Sequence, residues 1–174
     1  PGLSPWTWPS AAAGFPVQRE PTHLDSLCRH VIDEMELAHP EATLRLDIER
    51  DVSGEWDHDR IAQVLSNLVG NAIQHGAPRS PVTVTVRGEG NIVAIDVHNE
   101  GPPIPPDVLP HVFDPFRQGG REKSHSGTHL GLGLFIASQI VRLHGGDIGV
   151  ESSDEGTTFT VRLPRTPSMS LADE

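Results

Sequence analysis

Gln63, Asn67 and Asn71 stand four residues apart in the run QVLSNLVGNAIQHG. On a helix they stack along one face, beside an apolar stripe. Asparagine is a poor helix-interior residue because its amide competes for backbone hydrogen bonds. Two of them bordering a core stripe are either a solvated face or a pair of hard oxygen ligands. In the second role a neutral carboxamide oxygen can hold Mg²⁺ without adding charge, while nucleotide phosphates complete the shell. A second candidate is Gly131-Leu132-Gly133-Leu134, which opens a later helix. Glycines cost about 1 kcal/mol each inside a helix, so two at its start mark either tight packing or close approach of a ligand. A helix N-terminus also attracts phosphate through its bare N–H groups. Arg117, Arg121 and Lys123 lie just upstream and could fold over an anion. A third candidate is HNEGPPIP, residues 98–105, where an apolar run ends on Asn99 and turns through one Gly and three Pro. Asn99 is either a strand-ending turn residue or a ligand.

Composition limits the classes of function. The chain has 174 residues and a formal net charge of −11, which argues against a nucleic-acid phosphate footprint but leaves room for one nucleotide site. A single cysteine, Cys28, allows no internal disulfide and no cysteine-based zinc site. No apolar run approaches the ~20 residues of a membrane span, so no direct membrane contact is expected. Residues 1–16 read as a linker without a basic leader, and 165–174 as a disordered tail.

The elements that must position these residues follow from periodicity. Thr22 is expected to cap a helix carrying Leu24, Leu27, Cys28, Val31, Met35 and Ala38 on one stripe, stopped by Pro40. ATLRLDIE (42–49) alternates as a strand and Ser53-Gly54 as a turn. Asp57 caps a second helix with Ile61, Val64, Leu65, Leu68, Ala72 and Ile73 inward, ended by Gly76 and Pro78. PVTVTVRG and NIVAIDVH form a hairpin through Gly88–Asn91. The loop from Asn99 to about His129 is far longer than the usual 4–6 residues, which points to function. Within it, Phe113 and Phe116 are either lid anchors or ordinary core contacts. A third helix spans 130–144, closed by Gly145-Gly146, and DIGVESS and TTFTVRLP are two final strands with Phe159, Val161 and Leu163 inward. The sum is an α+β, two-layer α/β sandwich: a mixed sheet of about five strands covered on one face by three helices.

As an ordered set these segments resemble sensor histidine kinases. NLVGNAIQHG is similar to their asparagine box, VHNEGPPIP to the first glycine box, FDPF to the phenylalanine box, and GTHLGLGLFIASQIVRLHGGDIGVES to the second glycine box and beyond. The likeness runs over residues 17–164 and places the chain in the wider ATPase superfamily of gyrase, heat-shock-90 chaperones and MutL, with a Bergerat fold. It implies that Asn71 holds Mg²⁺, with Asn67 beside it as the catalytic amide near the phosphates. Gln74 and His75 would stand near phosphates and base. Asn99 would face the adenine amino group, with Gly101, Pro103 and Ile104 in the base loop. Leu130, Gly131, Leu132, Gly133 and Leu134 would cradle phosphates, and Thr158 would sit near the base. Phe116, Arg117, Gln118 and Lys123 fall in the lid.

The chain departs from the family pattern in three places: Asn99 stands for Asp, Pro103 for Gly, and His129 for Gly. An asparagine amide can be turned over to suit guanine, so relaxed base selectivity is expected. Neither His23, followed by Leu24, nor His30, followed by Val31, sits in a phosphoacceptor pattern. The resemblance therefore implies a cytoplasmic catalytic domain that binds Mg²⁺ and ATP and passes the γ-phosphoryl to a histidine on a separate dimerisation domain. A response regulator would lie downstream, and no nucleic acid would be bound. A nucleotide-sensing pseudokinase module and an anti-sigma-type serine kinase are the alternatives.

Overall fold

Asp57 and the apolar stripe behind it explain the longest helix. The computed structural model describes residues 16–115 and 132–167. In it Asp57 caps α2 (His58–His75) by accepting the Arg60 N–H through its side chain. Ile61, Val64, Leu65, Leu68, Val69 and Ala72 form the buried face of that helix. α1 (Leu24–Ala38) buries Leu24, Leu27, Cys28, Val31 and Ile32 in the same manner. The third helix, α3 (Gly133–Leu143), begins later than the expected 130, with Leu132 in the cap position and no side-chain cap.

The main sheet has five strands in the order β2 (Leu44–Ile48), β4 (Val82–Glu89), β5 (Ile92–Asn99), β7 (Gly156–Pro164), β6 (Asp147–Ser153). β2 and β4 are parallel because α2 carries the chain back between them, and the other neighbours are antiparallel. Alternation puts Val82, Val84, Val86, Val93, Ile95, Val97, Phe159, Val161 and Leu163 into the core. α1 lies on β2, α2 on β4 and β5, and α3 on β6 and β7. On the sheet's other face Arg87 pairs with Asp96, which also accepts from Thr160 Oγ1 at 2.7 Å. The two-layer α+β sandwich with helices on one face is thus the observed architecture.

A second, two-stranded sheet was not expected from sequence. β1 (Glu20–His23) pairs antiparallel with β3 (Ser53–Trp56). Thr22 therefore does not cap α1. Its buried hydroxyl lies 2.9 Å from the Glu20 carbonyl and 3.2 Å from that of Trp56, and His23 takes the cap position without a side-chain bond. Ser53-Gly54 is strand rather than turn, and the reversal comes earlier, at Asp51, with φ of 58°. Glycine is required at 54 because a Cβ there would fall 2.4 Å from the Trp56 ring. That ring is fully buried and donates Nε1–H to the Pro164 carbonyl at 2.8 Å.

Two polar knots close the structure. Arg165, at the start of the expected tail, gives its guanidinium to the carbonyls of Gly90, Ser53 and Asp51 at 2.8, 2.9 and 2.8 Å. Its own carbonyl receives the Glu55 N–H at 2.7 Å. His144 is buried with Nε2 accepting the Asp57 N–H at 3.0 Å, which assigns its proton to Nδ1, 2.8 Å from the Ile140 carbonyl. Burial pushes its pKa below 6.5, aided by the positive charge of Arg19, against the Ile140 bond and Asp57, which raise it.

Arg165→Ala is expected to cost about 1.5–3 kcal/mol, the scale of lost charged hydrogen bonds, measured by denaturant unfolding. The neutral form of His144 is the folded form, so its stabilisation is complete above pH 6.5 and is lost as pH falls below that value. Desolvation lowers the His75 pKa as well, with the same sign. Thermal melting from ~pH 8 down to ~pH 5 should show a falling midpoint below pH 6.5, and His144→Gln should shallow that slope.

Candidate functional site

With its apolar stripe on the sheet, α2 leaves Asn67 and Asn71 half-buried at its border and Gln63 exposed. Asn67 meets the start of α3, where its Nδ2 donates to the Gly133 carbonyl at 3.0 Å. A Cβ at Gly133 would meet Asn67 Cγ at 3.7 Å, an ordinary contact, so packing between the helices does not call for glycine there. Asn71, one turn further along, makes no side-chain hydrogen bond among the described residues. Leu132 and Leu134 are half-buried, and Leu134 packs on the core. The Asn67 amide and the N-terminus of α3 thus share one seam, and Asn71 follows on the same side of α2.

The other end of the seam is at the C-terminus of α2. From Asn67 to Gly76 the helix rises about 13.5 Å. There β5 ends on Asn99, which is 4% exposed and paired across the sheet with Val82 and Thr157. The chain after Asn99 is tied to the helix end: Ala77 N–H donates to the Glu100 carbonyl at 2.7 Å. Gly101 has φ of 146°, and a Cβ there would lie 3.1 Å from both the Ala77 nitrogen and the His75 carbonyl. The conformation and the close approach both call for glycine. Pro103 is exposed, whereas Ile104 is half-buried against the core with its N–H donated to Ser152 Oγ at 2.8 Å. Gln74 and His75 are exposed on the last turn of α2.

The geometry corrects one expectation. Thr158 does not face this seam. It pairs with His98 on the opposite face of the sheet, where His98 Nδ1 and Thr158 Oγ1 are 2.8 Å apart. The preceding residue, Thr157, is buried beside Asn99, and its hydroxyl lies 2.8 Å from Ser152 Oγ. The signal was present in the sequence: with Phe159, Val161 and Leu163 inward, strand alternation puts Thr157 inward and Thr158 outward. Ser152 and the Glu100 carbonyl were also missed, because their parts depend on contacts between distant strands.

In the long loop, Phe113 packs edge-on against Phe159 with centroids 5.9 Å apart, which anchors the segment around residues Leu109–His111 to the core. Phe113 is therefore a core contact. Phe116, Arg117, Gln118, Arg121, Lys123, His129, Leu130 and Gly131 lie outside the described residues.

Comparison with known proteins agrees with this geometry. Residues 56–167 match the family model of histidine kinase-, DNA gyrase B-, and HSP90-like ATPases. The chain is 45% identical over 124 residues to the signal transduction histidine-protein kinase AfsQ2 of Streptomyces coelicolor, covering 71% of this chain and 23% of that protein. It is 34% identical over 153 residues to the probable sensor histidine kinase TcrY of Mycobacterium tuberculosis, covering 87% of this chain and 32% of that one. The chain thus spans less than a third of the length of these curated relatives. Among solved structures, the catalytic domain of histidine kinase ThkA superposes with a TM-score of 0.75 at 31% identity, covering 86% of this chain and 97% of that one. ThkA in complex with the response regulator protein TrrA superposes with a TM-score of 0.72 at 30% identity, covering 88% and 43%. These relatives are histidine kinases, not anti-sigma-type serine kinases. The chain therefore belongs to the histidine kinase-, DNA gyrase B- and HSP90-like ATPase family, as a catalytic domain of the histidine-kinase type.

Proposed function

We propose that the chain binds Mg²⁺-ATP along the α2–α3 seam and donates the γ-phosphoryl to a histidine on a separate dimerisation domain. The observation that carries this reading is the hydrogen bond from Asn67 Nδ2 to the Gly133 carbonyl, which brings the α2 amides to the N-terminus of α3. Asn71 suits the metal: its carboxamide is half-buried, makes no hydrogen bond to a described residue and adds no negative charge beside phosphates. When bound, Mg²⁺ would neutralise phosphate charge and orient the γ-phosphoryl. Asn67 would hold the backbone of Leu132, Gly133 and Leu134 in register beneath the phosphates. N–H groups at the start of α3, with Gly131 and Leu130 ahead of them, would meet the anion. Arg117 or Lys123 in the lid would add positive charge as the γ-phosphoryl leaves. Asn99 and Thr157 would face the base, with Gly101 admitting the loop to the helix end. Gln74 and His75 would border the sugar and phosphates.

Catalysis here would be positioning and charge neutralisation, with the nucleophilic histidine supplied by the dimerisation domain. The phosphorylated histidine would then serve a response regulator, and both partners would be met in the cytoplasm. Among the described residues no helix is long and apolar enough to cross a membrane.

Phosphoryl transfer from labelled ATP to a dimerisation domain added in trans should therefore require this chain and stop when Mg²⁺ is chelated. Asn71→Ala should lower that transfer on the order of a hundredfold, the scale of removing one preorganised electrostatic group, with the fold intact by circular dichroism. Label appearing on a histidine of this chain by itself, or transfer that survives both chelation and Asn71→Ala, would sink the assignment.

A further inference from the structure

His144 is the one buried histidine among the described residues, and it joins three parts of the chain. Its Nε2 accepts the Asp57 N–H at 3.0 Å, and its Nδ1 lies 2.8 Å from the Ile140 carbonyl. Nδ1 therefore carries the proton and Nε2 must stay bare. The Asp57 carboxylate is shared as well. Oδ2 accepts the Gln18 N–H at 3.0 Å, from the chain ahead of β1, and Oδ1 accepts the Arg60 N–H at 3.3 Å and caps α2. Arg19 completes the joint, with Nη2 3.3 Å from the Leu143 carbonyl and Nη1 3.5 Å from that of Glu55. The joint ties the start of α2 to the end of α3. The contact of Asn67 with Gly133 lies further along α2, at the opposite end of α3.

The same groups admit a second arrangement. A proton added at Nε2 sets N–H against N–H, two donors with no acceptor between them. The imidazolium then needs an acceptor, and the joint holds one of opposite charge, the Asp57 carboxylate. Engaging it draws Oδ2 away from the Gln18 N–H. The new charge also repels the Arg19 guanidinium and loosens it from the Leu143 carbonyl. Around the ring, Arg19 opposes the imidazolium and Asp57 favours it, while burial, the largest influence, keeps it neutral. On the first turn of α2, His58 and Asp59 contact each other at 3.2 Å and Arg60 is half-buried. Arg142 on its own helix, and Asp147 and Arg162 on the neighbouring strands, are exposed.

We infer that Gln18, Arg19, Asp57 and His144 form a proton-operated latch, in which protonation of His144 releases the chain ahead of β1 and lets the start of α2 part from the end of α3. The latch lies apart from the site, and its effect on nucleotide rests on the reading of the α2–α3 seam. Two helices joined at both ends keep that seam in register. Joined at one end only, they can slide, so nucleotide affinity falls as the latch opens.

Nuclear magnetic resonance of this chain from ~pH 8 down to ~pH 5 reads the latch directly. The backbone amide shifts of Gln18 and Asp57 should move in one step, at the midpoint of the His144 ring, while central sheet amides such as Val161 stay in place. Arg19→Ala should raise that midpoint, because a positive charge beside the imidazole is gone. His144→Gln, which offers an acceptor and a donor but takes up no proton, should abolish the step. By calorimetry, Mg²⁺-ATP affinity should fall severalfold more across the step in the unaltered chain than in His144→Gln. The latch is overturned by Gln18 and Asp57 amides that do not follow the ring, by a midpoint that Arg19→Ala leaves unmoved, by a step that survives His144→Gln, or by sheet amides lost in the same step. Affinity that falls equally in both chains would overturn its link to the seam. Absence of nucleotide binding at every pH would instead overturn the reading of the seam, with the amide titration still deciding the latch.

Discussion

The packing of α2 is the constraint from which the rest of the site follows. A helix whose six buried residues lie on one stripe has one orientation against the sheet. Once Ile61, Leu65, Leu68 and Ala72 are inside, Asn67 is committed to the seam with α3 and Asn71 to the same border of the helix. The same rotation puts Gly76 beside the end of β5, so Asn99 and the helix terminus must meet. Core and site are therefore not separate features of this chain. A change that rotated α2 by a fraction of a turn would lose apolar burial and misplace the amides together.

The N-terminal strand is tied to the same helix. Gln18 N–H donates to Asp57 Oδ2 at 3.0 Å, while Asp57 Oδ1 caps α2 and the Asp57 N–H reaches His144 at the end of α3. Arg19 adds a bond to the Leu143 carbonyl at 3.3 Å. One aspartate thus joins the incoming chain, the start of α2 and the end of α3. α2 and α3 are clamped at the ends away from the β5 terminus, and the clamp is built from the Asp57 carboxylate, backbone N–H groups and neutral His144. Its polarity survives only while that imidazole keeps a free lone pair.

Much of this was legible in the sequence, and the misses share a cause. The α2 stripe, the β4–β5 hairpin and the inward Phe159, Val161 and Leu163 are local periodicities, which a linear reading recovers well. Thr22 and Ser53-Gly54 were misread because the β1–β3 sheet pairs segments some thirty residues apart. A hydroxyl before a helix has the same local appearance whether it caps that helix or bonds the Trp56 carbonyl across a strand. Thr158 was a different kind of miss: the parity that excludes it was already implied by its neighbours. The bond from Asn67 to Gly133 and the link from Ser152 to Thr157 needed the fold, since each joins residues that only the packing of distant elements brings together.

The chemistry of the site also fits the charge of the molecule. A chain of net charge −11 that takes a polyanion must avoid placing further negative charge near it. In the proposed site Asn67, Asn71, Thr157 and the N-terminus of α3 would offer neutral dipoles, whose attraction for phosphate and base would not depend on a cationic surface. Asn99 carries this further. Where the family pattern has a carboxylate, this chain has a carboxamide with one proton fixed on the Glu100 carbonyl. The Ala77 N–H holds that carbonyl from the other side, so the orientation of this uncharged amide rests on backbone geometry at Glu100 and Ala77.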